Sequence, residues 1–155
     1  MFTSPGPVAF HLGPFDIRWY GLIIAFAFLS GVFISKKTAR LYNEDPENIS
    51  SLSIVLLISA IIGARLYYVI FNLDYFANNI SEIFKTWHGG LSIHGALIGG
   101  FLSGTVYCLI KKLSILKYAD IITYGLVIGQ AIGRWGNFFN SEAYGTPTDL
   151  PWKIY

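Results

Sequence analysis

Three side chains that can carry charge lie inside apolar stretches of this sequence: Arg65, His94 and Arg134. A guanidinium presents a planar fork of N–H donors that matches the oxygens of a phosphate. An imidazole can accept or donate a proton near neutral pH. Ionisable residues inside membrane spans are costly and by default indicate a functional site. The combination therefore favours chemistry on the phosphate ester of a lipid.

The densest polar group begins at Gly133, in the stretch GRWGNFFNSEAYG. Asn137 follows Arg134 by about one helical turn, so its amide can orient the guanidinium or bond a ligand hydroxyl. Asn137 and Asn140 have an alternative interpretation as contacts between helices or as a cap at a helix end. Tyr20 begins another apolar stretch beside Trp19, where an interfacial aromatic belt is the alternative interpretation.

The elements that must position these residues are membrane helices. Hydrophobic residues make up 54% of the 155 residues and charged residues only 13%, whereas soluble domains carry about 25% charged residues. Four segments have the roughly 20 mostly apolar residues that a span requires: 17–35, 51–71, 91–110 and 119–139. We predict an all-α, polytopic membrane protein in which residues 1–155 form a single integral membrane domain.

The basic residues of the loops predict the orientation of these spans. Six lie in the first and third loops, against three on the opposite side: Lys36, Lys37, Arg40, Lys111, Lys112 and Lys117, against Arg18, Lys85 and Lys153. The positive-inside rule then places those two loops in the cytoplasm and the N-terminus outside. No basic run is longer than two residues, which argues against a nucleic-acid partner.

On this topology the polar groups lie at similar depths. At a rise of 1.5 Å per residue, Arg65, His94 and Arg134 lie about 9, 5 and 8 Å below the outer ends of their spans. Tyr20 begins its span on the same side. We therefore expect four helices to bring polar groups to one layer beneath the outer headgroups, where a phospholipid headgroup or its phosphate leaving group is the expected ligand.

Other residues have simpler interpretations. Arg65 could instead reach the outer phosphates or pair with a backbone carbonyl, and His94 could be a packing histidine. Cys108 is predicted to pack, and Asp120 to cap the fourth span. Small residues at intervals of four predict close helix packing: Gly95 and Gly99, Gly100 and Gly104, and Gly125, Gly129 and Gly133.

Three stretches give the sequence a family resemblance: RWYGL at 18–22, HGGLSIHGALIGG at 88–100 and GRWGNFFNSEAYG at 133–145. They resemble the N-terminal part of bacterial phosphatidylglycerol–prolipoprotein diacylglyceryl transferases. The last stretch matches the family signature G-R-x-G-N-F-x-N-x-E-x-x-G at every fixed position. The resemblance implies a multi-pass protein of the bacterial inner membrane with seven spans. Four are present, so we expect the chain to be C-terminally truncated.

The resemblance also implies an activity. Family members transfer the diacylglyceryl group of phosphatidylglycerol to the lipobox cysteine thiol of a prolipoprotein signal peptide, the first step of lipoprotein maturation, without a metal or cofactor. The family's functional positions fall on Tyr20, His94, Arg134, Asn137 and Gly145.

We predict that Tyr20, His94 and Arg134 are catalytic residues. The predicted substrate-binding residues are Arg65, Arg134, Asn137, Asn140 and Gly145. In this scheme Arg134 stabilises the departing phosphate and His94 accepts the thiol proton. The chain departs from some family members at Thr146, where they have an arginine.

Two other functions remain as alternatives. The chain could be half of an anion or lipid transporter. A transport path, however, needs polar groups halfway through the membrane. It could also be a packing subunit without catalysis, which predicts that Arg134→Lys is tolerated. A phosphate site that uses the fork of the guanidinium predicts loss of function in that variant.

Overall fold

The computed structural model describes residues 4–13, 15–143 and 145–149. The N-terminal strands are β1 (Val8–Leu12) and β2 (Phe15–Arg18), and helix α1 (Trp19–Leu41) follows directly. The remaining elements in chain order are α2 (Pro46–Ile70), α3 (Leu73–Ala77), two 3-10 helices (Ile80–Phe84 and Thr86–His88), α4 (Ile93–Ile110) and α5 (Ile115–Asn140).

The predicted helical membrane fold is confirmed. Helices α1, α2, α4 and α5 are each long and apolar enough to cross a membrane. Three of them extend further than the apolar segments that predicted them: α1 continues to Leu41, α2 begins at Pro46 and α5 begins at Ile115. The chain is thus a multi-pass membrane protein with four candidate spans.

The ends of the helices show local capping chemistry. The side chain of Asp45 accepts a hydrogen bond of 2.9 Å from the backbone N–H of Glu47, and Pro46 occupies the first helical position of α2, where proline needs no donor. The capping role predicted for Asp120 is wrong. Helix α5 begins five residues earlier, where the hydroxyl of Ser114 accepts from the N–H of Lys117 at 3.4 Å.

The sequence analysis did not predict the N-terminal strands. They form an antiparallel hairpin in which His11 faces Asp16, and the two side chains form an exposed ion pair of 2.7 Å. The N–H of Trp19 donates to the carbonyl of Pro7 at 3.0 Å. The hairpin is therefore joined to the first turn of α1.

The chain contains two compact units. The first comprises residues 1–42 and 121–155, and the second comprises residues 43–120. In the first unit, α1 and α5 approach at two glycines, since a Cβ on Gly31 would lie 2.9 Å from the carbonyl oxygen of Gly125. Such contact brings the helix backbones together, which is how membrane helices commonly pack.

In the second unit, α2 packs against α4 in the same way. A Cβ on Gly95 would collide with the carbonyl oxygen of Gly63, and a Cβ on Gly99 would lie 2.6 Å from that of Ser59. The predicted packing role is confirmed for Gly95, Gly99 and Gly125. It is wrong for Gly100, whose Cβ would meet no described atom within 4 Å. Cys108 is buried, as a packing residue should be.

A polar cluster joins the two ends of the second unit. Glu44 forms an ion pair of 2.6 Å with Lys117 and accepts a hydrogen bond of 3.0 Å from the hydroxyl of buried Tyr118. The amide of Asn48 donates to the same hydroxyl at 3.2 Å. The hydrogen-bonded ammonium of Lys117 lowers the pKa of Glu44 below its ordinary value.

Candidate functional site

Arg134 lies on α5, two turns before the helix ends at Asn140, and its side chain is exposed. Among the described residues it forms no hydrogen bond and no ion pair. The five N–H groups of a guanidinium are strong donors that need partners. Arg134 therefore presents a cation with its donors available to an anionic ligand.

Tyr20 lies beside the turn of α5 that carries Arg134. Its ring packs on Gly136, where an added Cβ would lie 2.9 Å from Cδ2 and 3.3 Å from Cε2 of the tyrosine. Gly136 is buried, and Tyr20 remains 36% exposed. A glycine between Trp135 and Asn137 is thus required by the close approach of the aromatic ring. The structure brings Tyr20 to the predicted site in the first unit.

Asn137 and Asn140 share an acceptor that the predicted site omitted. Their Nδ2 atoms donate to the same oxygen, Oε1 of Glu142, at 3.2 and 3.4 Å. The N–H of Glu142 in turn donates to the carbonyl of Asn137 at 3.0 Å. The signal was present in the sequence, because Glu142 is the fixed acid of the signature.

The side-chain amide oxygen of Asn140 differs from its amide nitrogen in having no hydrogen-bond partner among the described residues. This oxygen, Oδ1, is buried. A buried acceptor without a donor costs about 1–3 kcal/mol. It is therefore a suitable partner for an N–H or O–H group of a ligand. Gly145 is exposed, with nothing described within 4 Å of its Cβ position, so its predicted role stays a prediction.

An apolar groove lies next to these polar groups in the first unit. It has a volume of about 360 Å³, and its lining includes Trp19, Phe26, Ile132 and Trp135. The ring of Trp19 stacks on Phe139 with 5.0 Å between centroids. Two of the lining residues are sequence neighbours of the polar residues, since Trp19 adjoins Tyr20 and Trp135 adjoins Arg134.

His94 lies in the second unit, at the second position of α4, with its side chain exposed. Its ring stacks on Tyr67, with the centroids 6.0 Å apart and 26° between the planes. Tyr67 stacks in turn on Phe71 at 4.5 Å. Within the described part of the chain no hydrogen bond engages the imidazole. The aromatic contact orients the ring and leaves both ring nitrogens available for proton transfer.

Arg65, on α2, has a different environment from Arg134. It is only 8% exposed, and each of its five N–H groups has a backbone carbonyl as partner. The acceptors are the carbonyl oxygens of Glu82, Ile83, Lys85, Gly89 and Gly90. No donor is left for a phosphate, so this geometry does not support the substrate-binding role predicted for Arg65. Pairing with backbone carbonyls, the alternative, is what the structure contains.

The structure thus groups the predicted residues in two places. Tyr20, Arg134, Asn137 and Asn140 lie together in the first unit, and Arg65 and His94 lie in the second. The predicted arrival of all of them at one membrane depth stays a prediction.

Comparison with known proteins gives a consistent result. The protein-family model described as prolipoprotein diacylglyceryl transferase matches residues 7–155. Proteins named phosphatidylglycerol–prolipoprotein diacylglyceryl transferase from Trichormus variabilis and from a Nostoc species are each 50% identical over 155 residues, which is 100% of this chain and 55% of each relative. The similarly named protein of Synechococcus elongatus is 50% identical over 154 residues, covering 99% of this chain and 53% of the relative. The chain spans about half the length of these curated relatives.

Proposed function

The chain belongs to the prolipoprotein diacylglyceryl transferase family, and from this membership we propose that it acts in transferring a diacylglyceryl group from phosphatidylglycerol to a prolipoprotein cysteine. In this reaction the C–O bond between the glyceryl carbon and the phosphate breaks. A C–S bond to the lipobox thiol forms, glycerol phosphate leaves, and a base takes the thiol proton. We place the protein in the bacterial inner membrane, where exported prolipoproteins and phosphatidylglycerol are both present.

The observation that carries this proposal is the open guanidinium of Arg134. A cation with five available donors suits a phosphate diester in the ground state and the additional charge of the departing glycerol phosphate. The charge develops on the phosphate as the C–O bond breaks, so a fixed guanidinium stabilises the transition state more than the substrate.

Residues around Arg134 complete the headgroup site in this proposal. The hydroxyl of Tyr20 would donate to a phosphate oxygen, since its ring is fixed against Gly136. The unpaired Oδ1 of Asn140 would accept from a glycerol hydroxyl, and Asn137 would keep the acid of Glu142 in place. Gly145 would border the same headgroup.

His94 is the proposed general base. A thiol becomes a strong nucleophile only as the thiolate, and an imidazole is a side chain suited to take that proton as a general base. The stacking on Tyr67 supports this role, because it fixes the plane of the ring without using either nitrogen.

A transfer assay tests the proposal. The 155-residue chain, in micelles with phosphatidylglycerol carrying a labelled acyl chain, is incubated with a lipobox peptide, and the labelled thioether product is measured. We expect product with the parent chain and none with His94→Gln, while His94→Gln still binds phosphatidylglycerol. Normal turnover by His94→Gln would eliminate the base role. A peptide with serine in place of the lipobox cysteine is the matched control.

A further inference from the structure

The loop between α2 and α4 is built around the buried guanidinium of Arg65. All five acceptors of Arg65 belong to residues 82–90. Nε donates to Ile83 at 2.9 Å, and Nη1 donates to Gly89 at 2.7 Å and to Gly90 at 2.8 Å. Short 3-10 helices have weak internal hydrogen bonding. The loop therefore depends on α2 for much of its order.

The C-terminal end of the loop is also hydrogen-bonded to α2, at the residue that precedes Arg65. The N–H of Ser92 donates to the carbonyl of Ala64, the residue before Arg65, at 3.1 Å. Ser92 is the residue immediately before α4, and His94 is the second residue of that helix. Two consecutive residues of α2 thus determine where the backbone of α4 begins.

Gly90 shows how closely the loop is fitted. Its φ is +76°, and a Cβ there would lie 2.6 Å from Nη1 of Arg65 and 2.7 Å from Cε1 of Tyr68. Gly89 also has a positive φ, of +87°, but no described atom lies within 4 Å of its Cβ position. Both glycines have positive φ and both accept a hydrogen bond from Arg65. They differ in the space at the Cβ position, which only at Gly90 is occupied by Arg65 and Tyr68.

The ring of His94 is held by the same helix. Tyr67, two residues after Arg65, stacks on the imidazole at 6.0 Å. The guanidinium also lies 5.2 Å from the ring centroid of buried Phe76, a cation–π distance that adds to its own order. Helix α2 therefore fixes the backbone before His94 through Arg65 and the ring of His94 through Tyr67.

We propose that Arg65 is a positioning residue for the transfer reaction, one that acts through His94 by fixing the loop of residues 82–92, and that it does not bind the lipid phosphate. This proposal rests on the proposed function for its effect on turnover. Its structural content, an ordered loop that sets the position of His94, can be measured without turnover.

The principal variant is Arg65→Lys, which keeps the charge but replaces five donors in a fixed fork with three on one nitrogen. We expect faster hydrogen exchange of the amides of residues 82–92, by at least about 10-fold, and a shifted imidazole resonance of His94. The affinity for phosphatidylglycerol should remain within about twofold of the parent. Where the chain turns over, kcat should fall about 100-fold, the cost of a misplaced catalytic group, with KM unchanged.

A second variant guards against a failure of Arg65→Lys to fold. Gly90→Ala keeps Arg65 and displaces the loop from it, so it should reproduce the changes in exchange and in the His94 resonance. Gly89→Ala is its matched control, because it also places a side chain at a positive φ but its Cβ does not collide with Arg65 or Tyr68. The excess effect of Gly90→Ala over Gly89→Ala measures the collision of the new Cβ with Arg65 and Tyr68.

The outcomes separate the two proposals. Absence of transfer by the parent chain, with the exchange and resonance changes present, contradicts the proposed function and leaves the positioning role supported. Weaker phosphatidylglycerol binding by Arg65→Lys, with loop exchange unchanged, overturns the positioning role in favour of a phosphate ligand. An unchanged His94 resonance in both Arg65→Lys and Gly90→Ala also overturns it.

Discussion

Arg65 and Arg134 are both arginines within apolar helices, and the surroundings of their guanidinium groups differ. Arg65 is buried and donates to five backbone carbonyls. Arg134 is exposed, and the described residues offer it neither a hydrogen bond nor an ion pair. In the first case, hydrogen bonds to backbone carbonyls offset the cost of placing a cation in a span. In the second case the guanidinium remains exposed, and we propose that its donors bind an anionic ligand. The number of hydrogen-bond acceptors around each guanidinium therefore distinguishes the two arginines.

The largest expected effect is on folding, from Arg65→Ala. Removing the guanidinium removes five part-buried hydrogen bonds, and a hydrogen bond to a charged group contributes about 1.5–3 kcal/mol. We expect a loss of at least about 3 kcal/mol, measured as survival of monodisperse protein in detergent after heating. Arg134→Ala should stay within about 0.5 kcal/mol of the parent. Equal losses in the two variants would remove the distinction between the arginines.

The next effect is on ligand binding, from Arg134→Lys. A lysine is a point charge that cannot engage two phosphate oxygens with a planar fork. We expect the affinity for a short-chain phosphatidylglycerol to fall about 10- to 100-fold, about 1.4 to 2.8 kcal/mol, with thermal stability unchanged. Fluorescence titration in detergent measures this affinity, and phosphatidylcholine serves as the control lipid. Full affinity in this variant would favour the interpretation of the chain as a packing subunit.

A smaller effect on ligand binding is expected from Gly136→Ala. This variant tests whether Tyr20 belongs to the proposed phosphatidylglycerol site around Arg134. The new Cβ would lie 2.9 Å from Cδ2 of Tyr20, so the ring must move. We expect phosphatidylglycerol affinity to fall about 10-fold, the equivalent of one hydrogen bond of about 1.4 kcal/mol. Gly133→Ala is the matched control, because its Cβ would make an ordinary contact of 3.6 Å with Ile24. Identical affinities in the two variants would separate Tyr20 from the Arg134 site.

The smallest effect concerns an ion pair with partial exposure, Glu44 with Lys117. The pKa of Glu44 is lowered in the folded protein by its bond to Lys117, so the pair stabilises the fold at neutral pH. That contribution is lost as the pH falls through the lowered pKa. We expect Glu44→Gln to cost about 0.5 kcal/mol at pH 7 and nothing once the parent carboxylate is protonated. Thermal scans at both pH values measure it. A cost that persists in acid would assign the effect to packing.

The sequence predicts the membrane helices well because a span requires a long apolar run. It predicts their ends less well. Hydropathy reports the thickness of the membrane and not the length of the helix, so the polar turns of α1 up to Leu41 and the start of α5 at Ile115 were missed. The N-terminal hairpin was missed as well, since its strands contain only five and four residues.

The candidate site was predicted in its residue types and only partly in its contacts. Arg134, Asn137 and Asn140 lie within one stretch of α5. Helical spacing therefore indicates from the sequence that their side chains are neighbours. The partners of Arg65 could not be predicted, because they are main-chain oxygens 17 to 25 residues away along the chain. Side-chain identity contains no information about where a distant loop brings its carbonyls. For the same reason the contact between Tyr20 and Gly136 required the structure.

The bonds of Arg65 have a consequence for the order in which the protein is made. Its acceptors are synthesised 17 to 25 residues after it, so α2 emerges from the ribosome ahead of the carbonyls that satisfy its arginine. An arginine in a span raises the cost of membrane insertion, by about 2.5–3.5 kcal/mol at the centre and by less near an end. Helix α2 recovers that cost when the loop of residues 82–90 folds onto Arg65. The stable insertion of α2 therefore depends on the folding of a loop that follows it in the order of synthesis.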